Sequence, residues 1–109
     1  MAVQDLHSTV MNGVRIVRWQ LSSGETGTHI RFPGTTTLAC FVGVHSISGT
    51  PTTTIEVSPD GTNWFPAKDY NGDDISIDSL GSVEFSTAAL YIRAATTGGD
   101  VTVSMNTRG

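Results

Sequence analysis

The residues of this chain that could do chemistry are few, and the acidic loop "DYNGDDISID" (69–78) holds most of them. Asp69, Asn71 and Asp73 spell D-x-N-x-D, the opening of an oxygen-rich calcium loop. An EF-hand would continue with Gly at its sixth place and Glu at its twelfth, where this chain has Asp74 and Leu80, and no helical pattern flanks it. Asp69, Asp73 and Asp74, with Asp78, are therefore only weak candidates for a non-EF calcium site, beside the plainer reading of a solvated acidic loop. His7, His29 and His45 are isolated and give no H-x-x-x-H pair for zinc. The serines form no G-x-S-x-G elbow, and Gly98-Gly99 reads as a hairpin rather than as a phosphate loop before a helix. Cys40 is the single cysteine, within the apolar Leu38-Ala39-Cys40-Phe41-Val42, and is expected to be a buried thiol acting as a small hydrophobe. These patterns point away from an enzyme and imply no cofactor.

The elements that must position these groups read as strands. Threonine runs at 35–37 and 52–54, abundant serine and glycine, and 38% hydrophobic residues describe an all-β composition. Short strands recur between turn residues: "VRIVRWQL" (14–21), "THIRF" (28–32), "LACFVGVHSI" (38–47), "TTIEVS" (53–58) and "NWFPA" (63–67). "DISIDS" (74–79), "SVEFS" (82–86), "LYIRAA" (90–95) and "DVTVSM" (100–105) complete the set. The run 38–47 is the most apolar and predicts a central strand covered on both faces, ending at Gly49-Thr50-Pro51. The expected fold is an antiparallel β-sandwich or small jelly roll of eight to nine short strands. The 109 residues make one domain, with residues 1–12 a possible N-terminal arm.

"TIEVSPDGTNWFPA" (54–67) is the most informative turn. Pro59 sets φ and Gly61 permits positive φ, as a tight turn requires. Beyond it, Trp64 is expected as a core anchor. The alternative leaves Trp64 or Phe65 on the surface as a sugar platform or partner contact.

Charge excludes one class of partner. The net charge is -4, and the six Lys and Arg are dispersed, so nucleic acid is not an expected ligand. Residues 1–50 carry a net +1 from Arg15, Arg18 and Arg31 against Asp5 and Glu25, whereas residues 51–109 carry -5. Such asymmetry suits head-to-tail contact between copies or docking on a charged partner. No stretch approaches the roughly 20 apolar residues that span a membrane, and the N-terminus has no signal-peptide pattern.

Two strings together carry a resemblance. "EVSPDGTNWFPA" and "STAALYIRAATTGGDVTVSM" resemble a pattern in small β-rich virion proteins of tailed bacteriophages, with an S-x-D-G-x-x-W turn and a late Y-I/V-R strand before Gly-Gly. The matching positions are Ser58, Asp60, Gly61, Trp64, Tyr91, Ile92, Arg93, Gly98 and Gly99, within residues 53–106. Discoidin-type carbohydrate-binding domains look similar at the same two places, but they are longer and usually end in an Arg-rich strand that "VTVSMNTRG" does not reproduce. The phage resemblance implies a virion protein assembled in host cytoplasm. It would be a capsid decoration (cement) protein, or a small tail or head-tail connector component. Its implied partners are the major capsid protein and copies of itself, with a trimer favoured. Arg15, Arg18 and Arg31 are the candidate contacts, and Trp64 and Phe65 the ligand platform of the carbohydrate-binding alternative.

Overall fold

A computed structural model of the chain describes residues 7–11, 14–31 and 38–108, with side chains from 16–31 and 39–108. In chain order the strands are β1 (His7–Met11), β2 (Val14–Leu21), β3 (Ile30–Arg31), β4 (Leu38–Ser58), β5 (Phe65–Pro66), β6 (Ser76–Ile77), β7 (Gly81–Thr87) and β8 (Tyr91–Arg108). Every pairing is antiparallel, and the fold is all-β.

Two long strands organise the rest. β4 and β8 run side by side from Ala39 opposite Arg108 to Ser58 opposite Tyr91. Midway, the register shifts between Val44 and Ser46 and again between Gly49 and Thr52, where β8 contributes Gly98 and Gly99. Neither glycine can carry a side chain here: a Cβ on Gly99 would lie 2.3 Å from the Ser48 carbonyl oxygen, and one on Gly98 2.7 Å from that of Thr50. Gly49 and Gly98 also hold φ of 84° and 82°, in the left-handed region that favours glycine. The turn residues read from sequence as a strand end at 49–51 and a hairpin at 96–99 are instead one shared bend, across which both strands continue. Bulges and glycines are the usual means by which a strand turns such a corner.

The bend divides the pairing into two sheets. In the first, β1, β2, the 100–108 half of β8, the first half of β4 and β7 lie in that order. In the second, β3, the 91–97 half of β8, the far half of β4 and the short β5 and β6 are paired. Alternation sends Val17, Trp19 and Leu21 of β2, and Val101, Val103 and Met105 of β8, into the same core as Ile55, Ile92 and Ala94 of the second sheet. Trp19 and Phe85 are the core aromatics, and Trp19 is the larger. The Trp19 Nε1 donates to the Thr28 carbonyl oxygen at 2.9 Å, and a Cβ on Gly27 would meet its ring at 2.4 Å.

Three sequence expectations change in this frame. Residues 7–11 of the anticipated arm are a strand paired with β2, while residues 1–6 and 12 lie outside the described residues. Among the described residues the 38–47 segment is covered on one face only: Val42 and Val44 are buried, but Phe41 is 43% exposed. The short segments 63–67 and 74–79 shrink to two-residue strands, because the pairing at their ends gives way to loops that pack Ala67 and Ile75 into the core; of 28–32, Ile30–Arg31 is paired and residue 32 lies outside the described residues.

Gly99→Ala should destabilise the fold by about 1–3 kcal/mol, the usual cost of overpacking. The same change at Gly72, around which a Cβ meets nothing but whose φ is 85°, should cost about 1 kcal/mol through backbone strain alone. Urea unfolding of the two variants checks the order.

Candidate functional site

The turn between β4 and β5 folds back over the outer face of the second sheet, and a set of hydrogen bonds explains why. Ser58 is fully buried; its Oγ accepts from the backbone N–H groups of Asp60 (3.2 Å) and Gly61 (2.8 Å), and donates to Asp60 Oδ1 (3.0 Å). Asp60 Oδ1 in turn accepts the N–H groups of Thr62 and Asn63 at 2.8 Å, and Oδ2 accepts from Asn63 Nδ2 at 2.7 Å. The N–H donors of Asn63 and Thr62, then the Asn63 amide, hold the Asp60 carboxyl well below the usual carboxylate range. Gly61, at φ 79°, faces the Tyr91 ring, which a Cβ at this position would meet at 3.6 Å.

That reversal lays Trp64 on Arg93. The guanidinium carbon lies 4.0 Å from the indole centroid, and Arg93 Nε donates to Glu56 Oε1 at 2.7 Å. Glu56 and Arg93 are register partners on β4 and β8, so the ion pair joins the two central strands, and the indole covers its Arg93 side while both side chains stay partly exposed. Such a cation–π contact is worth roughly 0.5–1 kcal/mol at a partly exposed site. His29, just before β3, completes the group at 5.6 Å from Trp64 and edge-on to Tyr91 at 5.4 Å.

Trp64 is thus half-buried over an ion pair, and the core position expected of it belongs to Trp19. Phe65 is 55% exposed on β5. Of the positions that carried the resemblance, Ser58, Asp60, Gly61, Trp64, Tyr91 and Arg93 form this one cluster, Ile92 is core, and Gly98 and Gly99 lie at the shared bend.

The three candidate arginines do not converge. Arg18 is half-buried on β2 between inward Val17 and Trp19, on the outer face of the first sheet. Arg31 is exposed beside inward Ile30, on the outer face of the second. Arg15 pairs through its backbone with Thr107 and Val10, and its side chain lies outside the described residues. Two sheets that share one core turn their outer faces in opposite directions, so Arg18 and Arg31 make no common basic patch.

The acidic loop is satisfied by its own backbone. Asp69 Oδ1 accepts from the N–H groups of Asn71 (2.8 Å) and Asp73 (3.0 Å), and Lys68 pairs with Asp74. The D-x-N-x-D spacing therefore builds a turn, with Gly72 at φ 85°. Among the described residues no three His, Cys, Asp or Glu side chains are grouped to hold a metal ion. Cys40 is buried, and burial pushes its thiol up to about 12, which leaves it no thiolate at neutral pH.

Sequence reading passed over the outer face of the first sheet. Phe41 of β4, Ile16 of β2 (45% exposed) and Tyr70 of the acidic loop (69%) lie there, with Tyr70 Oη within 2.9 Å of Ser86 Oγ. Tyr70, Phe41, Glu84, Asn106 and Arg108 border a shallow depression of about 110 Å³. His45 Nε2 lies 2.7 Å from Ser104 Oγ on the same face. The available signal was the alternation of Ala39, Phe41 and Gly43, which a continuous apolar run conceals.

No family model and no curated protein matches the chain. Among solved structures it is similar to an RmlC-like cupin protein from Desulfovibrio desulfuricans, at 14% identity and a TM-score of 0.46, over 95% of this chain and 80% of that one. It is also similar to the capsular polysaccharide assembling protein CapF from Staphylococcus aureus, at 17% identity and a TM-score of 0.43, over 95% of this chain and 30% of that one. Neither likeness bears on function.

The lowered Asp60 carboxyl has a signed consequence. Its contribution is complete above the ordinary carboxylate range, near pH 4, and declines as pH falls towards its folded-state value. Asp60→Asn should lower the melting temperature at pH 7, and the gap from the parent should narrow between pH 4 and pH 2. Thermal melts at a series of pH values check this.

Proposed function

We propose that this chain is a non-enzymatic virion structural protein: a capsid decoration (cement) subunit that binds the major capsid protein of an assembled phage head and works as a homo-oligomer. The observation that supports this reading most is the unity of the resemblance. Residues roughly thirty positions apart, at 58–64 and 91–93, meet in a single turn-on-strand unit whose polar groups are spent on one another. A turn built this way stiffens the face it covers, and a stiff, many-copy subunit is what a shell needs. Repeated docking supplies avidity, so each contact can be modest.

A second reading draws on Phe65. Its exposed ring beside Trp64 is the kind of surface a carbohydrate-binding module presents. One face of Trp64 is already occupied by Arg93, which leaves Phe65 the larger part of any such platform.

Sedimentation of the purified chain with heads of the phage that encodes it, with bound mass measured against total, tests the first reading. Saturable binding at a fixed number of copies per head is expected. Absence of binding, together with saturable sugar binding that Phe65→Ala removes, would transfer the assignment to the module.

A further inference from the structure

We propose that the outer face of the first sheet is a twofold, self-complementary contact between two copies of this chain, made by Glu84, Arg108 and Phe41. The inference rests on the reading that the chain works in several copies, and it names the surface that joins them. Its starting point is a mismatch between strand and surroundings. Leu38-Ala39-Cys40-Phe41-Val42 has the apolar continuity of a strand buried on both sides, yet among the described residues only the side of Cys40 and Val42 is covered. The second sheet's outer face, by contrast, is roofed by its own turn through Gly61 and Trp64.

Charge placement says what fits the open side. The registers set Glu84 of β7 opposite Phe41, and Arg108 of β8 opposite Ala39. The anion and the cation therefore stand on either side of β4, one step of alternation apart along it, and both are exposed. Consider a twofold axis lying in the face and passing over β4 between Ala39 and Phe41. It carries Glu84 of one copy onto Arg108 of the other, and the reverse, in one operation. Phe41 falls beside the axis and meets its counterpart, and the depression bordered by Tyr70 and Asn106 gives room for the approaching side chains. This is the property an isologous interface requires: residue i meets residue j while j meets i. Ile16, whose register partner Asn106 is also that of Phe41, extends the apolar part of the same row.

The size of the face limits the strength of the contact. Five strands about 4.8 Å apart and about seven residues long present roughly 550 Å² in projection. That is well under the ~800 Å² per partner of a standard interface. The dimer should therefore form and dissociate with concentration in the micromolar-to-millimolar range, and a head surface offering many sites would favour it further.

Charge exchange tests this without ambiguity. Sedimentation velocity of the full chain across that concentration range should show the mass rising from one copy towards two. Glu84→Arg alone and Arg108→Glu alone should each weaken self-association at least tenfold, because each sets like charges together across the axis. An equimolar mixture of the two variants should recover the dimer, since every Glu then faces an Arg, and so should the double variant E84R/R108E. Recovery on mixing also shows that neither single variant failed to fold. Three results would overturn the proposal: a parent chain that stays monomeric throughout, single variants that associate as the parent does, or a mixture that does not recover. A monomeric parent that binds heads, and loses binding with Phe41→Ser, would assign the face to the capsid instead. A charge-dependent dimer that ignores heads would leave this contact standing and remove the virion reading.

Discussion

The pairing of β4 with β8 is the constraint on which the remaining structure depends. β2 and β3 are held by β8, and β5, β6 and β7 by β4, so each of these strands reaches the core through one of the two. The pair can serve both sheets only because it bends as a unit, and the bend requires two backbones to come closer than any Cβ allows at Gly98 and Gly99. Local chemistry at one corner thus determines global architecture. Hydrophobic burial supplies the favourable energy, but the glycines decide whether the inner faces can meet at all.

The two outer faces solve the same problem differently. Over the second sheet, buried Ser58 and the Asp60 carboxylate satisfy the donors of a tight turn, and that turn places an indole across the Arg93–Glu56 pair. A charged pair at the middle of a sheet is thereby shielded without leaving its polar groups unmet. Over the first sheet no described loop does the equivalent, apart from Tyr70 reaching Ser86. Phe41 and Ile16 stay in contact with solvent there. The contrast between a roofed face and an open one is the main asymmetry of the molecule.

Much of this was legible in the residues, and what was not has a physical cause. β2 runs over the residues its pattern indicated, and β7 within one residue at each end, because each alternates between one buried and one open side. The Pro59-Asp60-Gly61 turn was equally plain, since its residue types are demanded locally. Gly49-Thr50-Pro51 and Gly98-Gly99 misled because a hairpin and a shared bend ask for the same things, positive φ and a missing side chain. Only the identity of the facing strand separates them, and that is a non-local fact. Trp19 shared its parity with Val17 and Leu21, so its burial could have been inferred; Trp64 lay at the edge of a short strand, where parity says little. Arg18 and Arg31 looked like one positive region along the chain and parted because consecutive strands joined opposite layers.

The position of β8 in this arrangement also governs when the molecule can come into being. The strand at the centre of both layers is the last of the eight, and its end pairs with Ala39, far back along the chain. During synthesis β2 and β4 therefore emerge without the neighbour that belongs between them, and the apolar run around Cys40 waits uncovered. Topologies dominated by such distant pairings fold slowly and expose their strands meanwhile. For this chain, assembly of the core is a late and collective event that follows translation of β8, so the nascent strands stay unpaired for longer than the small size of the fold would suggest.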